Sequence, residues 1–241
     1  MLLPALSVVI PCLNEGGNIE PFCAEIRAAL RDVPDWEIVV VDDGSSDDTA
    51  AKVRELGKAD PRVRLVRHRS SCGQSAAIAT GIRAARNAVI ATLDGDCQND
   101  PADIPRLLEV LRSGEAGGLR MVCGWRRRRH DTWVKRLSSR VANGVRGRLL
   151  GDNTPDTGCG LKVYRREFFL QLPYFDHMHR FLPALTLRQG GRVTSVEVNH
   201  RPRLQGRSAY GTFDRLWVGI WDLLGVAWLQ RRMKRPEIVE N

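Results

Sequence analysis

Short apolar runs that each stop abruptly in polar residues restrict this chain more than any other feature. Leu6–Ile10 stops at Pro11-Cys12-Leu13-Asn14-Glu15, Glu37–Val41 at Asp42-Asp43-Gly44-Ser45-Ser46, and Ala88–Leu93 at Asp94-Gly95-Asp96-Cys97-Gln98. Near-continuous apolar strands of this kind, separated by helical segments, are buried on both faces of a parallel sheet. The intervals between them read as helices. Asn18 is expected to cap one that carries Pro21 in its first turn, and Ser46 to cap the next, with Asp47 and Asp48 at its positive end. Small residues from Ala76 to Ala85 form a third, and Pro101–Leu111 a fourth. Val63–Val66 and Leu119–Cys123 supply further strands. The expectation is an α/β chain with a mostly parallel central sheet flanked by helices. In such sheets ligands bind beyond the carboxyl ends of the strands, so Leu13–Glu15, Asp42–Ser45 and Asp94–Gln98 are predicted to converge on one edge.

Asp94 and Asp96 carry the most specific chemistry. Two carboxylates one residue apart, where a buried strand ends, raise each other's pKa and are costly to leave unpaired. A divalent cation removes that cost. Mg²⁺ and Mn²⁺ take oxygen ligands and commonly bridge carboxylates to phosphates, so the pair predicts a metal that holds a diphosphate. The alternative, that the two acids cap the next helix, fits poorly because Pro101 lies too far along the chain. Asp42-Asp43-Gly44-Ser45 also reads as an ordinary turn when taken alone.

The second half is less regular. A basic stretch, Trp125-Arg126-Arg127-Arg128-Arg129-His130, leads into a predicted helix from Trp133 to Leu150. A loop over Asp152–Gly160 precedes a strand at Leu161–Tyr164, His177–Arg180 opens a helix, and Val193–Val198 is the last strand. The tail from Leu216 to Leu229 holds Trp217, Trp221 and Trp228, is interrupted by Asp222, and ends in Arg231-Arg232-Met233-Lys234-Arg235. It is shorter than the roughly 20 residues of a spanning helix. Two placements stay open for it: an amphipathic helix on an anionic membrane surface, or a helix packed on the domain or on a second subunit. The amino terminus leads straight into a strand without a basic n-region, so no signal peptide is expected. The six cysteines are scattered, which argues against a zinc site or disulfide framework and for small thiols in a reducing compartment. The formal net charge of +9 favours anionic partners.

The order of these motifs resembles family 2 inverting glycosyltransferases of the GT-A nucleotide-diphospho-sugar transferase fold. Gly73-Gln74-Ser75, Asp156-Thr157-Gly158-Cys159-Gly160 and His200-Arg201-Pro202-Arg203 with Gly206 and Ser208 narrow the likeness to the dolichol-phosphate mannosyltransferase-like branch, which includes bacterial undecaprenyl-phosphate sugar transferases. The resemblance runs from about Leu6 to Leu229 and implies a catalytic domain over residues 1–212, followed by the amphipathic segment 213–241. Position by position, it implies that Pro11, Leu13 and Glu15 line the nucleoside and that Asp43, with Asp42 beside it, meets the base and ribose. Asp94, Asp96 and Gln98 match the Mg²⁺ or Mn²⁺ and diphosphate motif. Arg126 matches a phosphate-contacting arginine, Lys135, Arg136 and Arg203 match basic positions near the donor and acceptor phosphates, and Ser208 the serine of a closing loop. Asp156 is an acceptor-side candidate. The chain departs from the pattern at Ala209, where the family carries a lysine, and at Cys97, where it often carries leucine.

The implied reaction moves a sugar, with inversion, from a GDP-mannose or UDP-hexose type donor to a polyprenyl phosphate. The implied location is the cytoplasmic face of the inner membrane, as a peripheral protein, with an integral-membrane partner or a homo-oligomer as further associations. A rival in the same family extends a glycan on a sugar hydroxyl, but that chemistry needs a carboxylate base in the second half that is not evident. A basic nucleic-acid-binding module is disfavoured because no recognised nucleic-acid motif accompanies the arginines. A dinucleotide oxidoreductase is disfavoured because no G-x-G-x-x-G follows the first strand.

Overall fold

The computed structural model describes residues 3–127, 144–202 and 214–234, with the side chains of 214–218 excepted. Seven strands form one sheet: β1 (Leu6–Cys12), β2 (Trp36–Asp42), β3 (Val63–Arg67), β4 (Val89–Thr92), β5 (Leu119–Trp125), β6 (Lys162–Arg165) and β7 (Arg192–Glu197), in the order β3-β2-β1-β4-β6-β5-β7. The pairs β1–β2, β1–β4, β2–β3 and β5–β7 are parallel. Among the described strands only β6 runs against its neighbours, antiparallel to both β4 and β5. The mostly parallel α/β expectation therefore holds, and the reversed strand is the addition.

The helices are α1 (Ile19–Ala29), α2 (Thr49–Ala59), α3 (Gln74–Ala84), α4 (Ile104–Gly114), α5 (144–150), α6 (Arg166–Leu170), α7 (Leu182–Arg188) and α8 (Asp214–Arg231). They cover both faces of the sheet, and the strands divide their side chains between two cores. Leu6, Val8 and Ile10 of β1 and Ile38 and Val40 of β2 join α1 and α4 on one face. Val9, Val39 and Val41 join α3, α7 and α8 on the other. Alternation across a pleated strand explains this division, and burial of both sides explains why the runs lack polar alternation. α4 buries Ile104, Leu107, Leu108 and Leu111, the spacing of one helical face. α3 lies so close to β1 and β2 that a Cβ at Gly81 would stand 2.4 Å from Val9 Cγ1, so only glycine fits there.

Two expected caps are corrected. Asn18 precedes α1, but its side chain makes no cap; Nδ2 donates to Glu15 Oε2 at 2.6 Å. α2 starts after Asp48, and the Ser46 amide donates instead to Asn14 Oδ1 at 2.9 Å. His177 leads into a single tight turn, Met178–Arg180, ahead of α7. Of the helix expected over Trp133–Leu150, only 144–150 lies within the described residues.

Candidate active site

Parallel strands end at the same edge. The chain departs β1 in one direction towards β2 and β3, and β4 adds to the other side of β1. A crevice at such a switch point is the usual ligand site of an open α/β sheet. Here a cavity of about 420 Å³ opens at that edge, and its lining includes Pro11 at the end of β1 and Asp94 and Asp96 after β4. Of the stretches predicted to converge, Asp94–Gln98 supplies Asp94 and Asp96 to this lining, while Leu13–Glu15 and Asp42–Ser45 supply no lining residue. The reversed β6 brings its beginning to the same edge, because Lys162 pairs with Thr92, and this adds Gly160 and Lys162 to the wall. β5 delivers Arg126 just past its end.

Asp94 and Asp96 face this cavity and do not cap the next helix. That cap is Asp100, whose side chain accepts from the Ala102 amide at 3.0 Å. Burial first, and the charge of Asp96 second, push the Asp94 carboxyl up to about 6, against the pull of Lys162, Arg126 and the Gln74 amide. Gln74 Nε2 donates to Asp94 Oδ1 at 2.8 Å. A Cβ at Gly160 would stand 2.3 Å from Asp94 Oδ2, so the glycine makes room for the carboxylate. Two hard oxygen donors held together against their own repulsion fit a divalent cation. Gln98 shares the loop but is not among the cavity's lining residues; its amide donates to Asp96 Oδ1 at 3.2 Å.

Arg126 is half-buried and paired in two-pronged fashion with Asp156, Nε to Oδ2 at 2.7 Å and Nη2 to Oδ1 at 2.9 Å. Burial opposes its charge, but Asp156 more than offsets this and raises its pKa above the ordinary arginine value. Asp156 thus aims the guanidinium, which remains a cation at every working pH. Lys162 is buried, and its ammonium donates to the Cys159 carbonyl. His179 and Arg180 complete the far wall.

Of the nucleoside candidates Pro11 lines the cavity, while Leu13, Glu15, Asp42 and Asp43 are not among its lining residues. Leu13 is exposed, and a Cβ at Gly95 would touch Cys12 Sγ and come within 3.5 Å of Glu15 Cγ, so the metal-candidate loop lies on the segment after β1. Asp42 is fully buried; its Oδ1 accepts from the Ser45 amide at 2.8 Å, and Arg67 Nε lies 2.9 Å from Oδ2. Asp42 therefore closes the turn. Asp43 gathers four donors: His68 Nδ1 at 2.6 Å, Ser71 Oγ at 2.8 Å, and the Cys72 and Gly73 amides at 2.9 Å. His68 turns its other ring nitrogen to Thr80 Oγ1 at 3.0 Å, so the Asp43–His68–Cys72 group is a loop anchor. Lys135, Arg136, Arg203 and Ser208 fall outside the described residues. The chain reaches Arg203 from a segment pinned to the acidic loop: Asn99 bridges His200, and Arg201 pairs with Glu25 at 2.6 Å and Asp100 at 2.5 Å.

Among the described residues, three that are not glycine take left-handed backbone: Asn14, Cys97 and His177. They sit in the segment after β1, the Asp94–Gln98 loop and the turn before His179, three of the segments around the cavity. Such strain concentrates at functional loops. Sequence reasoning missed Lys162 as a site residue, and it weighed His177 and His179 for capping or acceptor-side contacts, of which His179 lines the cavity. A lysine inside the apolar strand Leu161–Tyr164 was the available signal for Lys162.

The Glycosyl transferase family 2 profile matches residues 7–172. The chain is 38% identical over 236 residues to a dodecaprenyl-phosphate galacturonate synthase of Rhizobium johnstonii, covering 96% of this chain and 69% of that one. It is 35% identical over 208 residues to an undecaprenyl-phosphate 4-deoxy-4-formamido-L-arabinose transferase of Edwardsiella ictaluri, covering 86% and 63%. The chain thus spans about two thirds of the length of these relatives. Among solved structures, it superposes on glucosyl-3-phosphoglycerate synthase of Mycobacterium tuberculosis with a TM-score of 0.68 at 22% identity, covering 96% and 82%. The same enzyme crystallised with Mn²⁺, uridine diphosphate and phosphoglyceric acid gives 0.66 at 22% identity, covering 96% and 80%. These likenesses show the fold. Fold and family agree: this chain belongs to glycosyl transferase family 2 and is a glycosyltransferase with the GT-A architecture.

Proposed function

We propose that the chain transfers a sugar from a nucleotide-diphosphate donor to a polyprenyl phosphate with inversion. The observation that carries this reading is the cavity in which Asp94 and Asp96 face Arg126, Lys162 and Arg180. One side is suited to a cation and diphosphate, the other to an anionic acceptor. The names of the relatives support the acceptor class. Asp94 and Asp96, with Gln98 next in the loop, would hold Mg²⁺ or Mn²⁺. A bound cation would supply positive charge to the departing diphosphate.

The chain's own groups do the rest. Pro11, Leu13, Glu15 and the Asp43 loop cradle the nucleoside side of the donor. Arg126, kept charged and aimed by Asp156, meets a phosphate, and preorganised charge of this kind acts most strongly on charge that develops in the transition state. An acceptor phosphate oxygen attacks the anomeric carbon as the bond to the diphosphate breaks, and attack opposite the leaving group inverts the centre. The phosphate is already anionic, so no tuned general base is needed. Lys135, Arg136, Arg203 and Ser208 are assigned to the phosphates and the closing loop. The Trp-bearing helix α8 is assigned to an anionic cytoplasmic membrane surface, where the lipid acceptor resides, and an integral-membrane partner fits the same placement.

The test is incubation of the chain with undecaprenyl phosphate, Mn²⁺ and labelled UDP-glucose, UDP-galacturonic acid or GDP-mannose. Label is expected in the lipid fraction with one of these, and Asp96→Asn is expected to abolish it while leaving the circular dichroism spectrum unchanged. Label in a free glycan acceptor with none in lipid would replace this reading with hydroxyl transfer.

A further inference from the structure

We propose that His179 is a neutral hydrogen-bond donor to an oxygen of the transferred sugar, locked into its Nε2–H tautomer by Ser75. The inference rests on the donor reading above and adds a specificity residue to it. His179 lines the cavity that holds Asp94 and Asp96. Its Nδ1 stands 2.7 Å from Ser75 Oγ, and its own backbone amide donates to the same oxygen at 3.3 Å. Ser75 is buried in the first turn of α3.

A serine hydroxyl has one proton to give and two lone pairs to receive. The His179 amide occupies one lone pair. If Nδ1 also carried a proton, the Ser75 hydroxyl proton would be left without an acceptor among the described residues. An unsatisfied buried donor is costly, whereas donation from Oγ to Nδ1 satisfies every group. The imidazole proton then sits on Nε2, the ring nitrogen with no partner among the described residues, on a side chain that faces the cavity. Burial first, then the charges of Arg180, Lys162 and His177, push the imidazole down to about 3, so the ring stays neutral across the physiological range.

The ligand follows from position. Gln74, the residue before Ser75, donates to Asp94, so the serine that anchors His179 is next in the chain to the amide held by the carboxylate assigned to the cation and diphosphate. Of the nucleoside candidates only Pro11 is among the lining residues; Leu13, Glu15 and Asp43 are not. In the proposed reaction the sugar lies between that diphosphate and the acceptor phosphate, and its hydroxyl or carboxylate oxygens accept hydrogen bonds. A neutral ring donor recognises such an oxygen without repelling the cation the acidic pair holds.

Two measurements on the full chain test this. In ¹⁵N-histidine spectra, with His179 identified by its disappearance in His179→Gln, the neutral Nε2–H pattern is expected to persist from pH 8 to pH 5. An Nδ1–H pattern, or an imidazolium by pH 6, would overturn the assignment. With Mn²⁺ present, His179→Ala is expected to weaken binding about tenfold. That loss refers to whichever of UDP-glucose, UDP-galacturonic acid and GDP-mannose the wild type holds best. Binding of the bare nucleoside diphosphate should not change, and His179→Gln, which keeps an N–H at a similar reach, should restore most of the loss. Equal losses for sugar nucleotide and bare nucleotide, or no loss for either, would overturn the inference and leave the donor reading standing. A wild-type chain that binds no sugar nucleotide would overturn both.

Discussion

At the scale of single residues, Asp94 sets function against stability. Its carboxyl is raised to about 6 by burial and by Asp96. A carboxyl raised in the folded state above its unfolded value contributes stability that is complete below about pH 4 and is lost as pH rises through about 6. In metal-free protein at pH 8 the ionised Asp94 is therefore a liability. Asp94→Asn is expected to stabilise the metal-free fold by about 2 kcal/mol after allowance for partial exposure. In a domain of this size that raises Tm by roughly 4–8 °C, while Mn²⁺ affinity and turnover collapse. Differential scanning in EDTA and calorimetric titration with Mn²⁺ give the two readouts, and a lowered Tm in EDTA would count against the frustrated-carboxylate account. The acidic pair was legible in the sequence because a buried strand and its charged end are adjacent in the chain. The pairing of His179 with Ser75 was not, since nothing local says that residues 75 and 179 meet.

At the scale of elements, the loop between β3 and α3 shows what a motif can hide. Asp43 was readable as a ligand acid, yet its four hydrogen bonds go to His68, Ser71, Cys72 and Gly73. Burial opposes its ionisation, but these donors outweigh it and hold the carboxyl below its ordinary range. The stability it contributes is present above about pH 4 and is lost as pH falls through the depressed folded value. Asp43→Asn removes the charge and half of the acceptors. It is expected to cost about 2–3 kcal/mol in urea titrations and to speed amide exchange from Cys72 to Ala77, the segment that presents Gln74 and Ser75 to the site. Unchanged exchange there would separate Asp43 from the loop. The same scale explains why β6 was only half legible: its apolar residues predict a strand, but its reversal arises from pairing with β4 and β5, strands remote from it in the chain. That reversal brings Gly160 and Lys162 to the catalytic edge.

At the scale of the whole molecule, α8 has two faces. Val226 and Ala227 are buried with α7, Gln230 donates to the Leu150 carbonyl at 2.9 Å, and Asp222 pairs with His177 at 3.2 Å. The sequence read Asp222 as an interruption of an apolar run; the fold makes it the link to the turn that carries His179. The opposite face exposes Ile220, Trp221, Leu224 and Trp228, with Trp221 69% and Trp228 58% accessible. Arg231, Arg232 and Lys234 follow, and Arg232 lies over the Trp228 ring. None of the described helices is long and apolar enough to cross a membrane. An apolar stripe beside a basic cluster suits a helix lying in the surface of an anionic bilayer, held by buried tryptophan area and by about 1 kcal/mol per nearby cation. The chain is expected to float with phosphatidylglycerol vesicles at low salt and to be released from phosphatidylcholine vesicles. Trp221→Ser with Trp228→Ser should lower that partition on the order of tenfold or more, since two large apolar rings leave the interface. The pair should leave Tm within about 1 °C, because both side chains already face water in the free protein. If the double variant floated as well as the wild type, and the wild type but not the variant sedimented as a dimer, the stripe would be a contact between two copies of the chain, and α8 would owe its tryptophans to assembly.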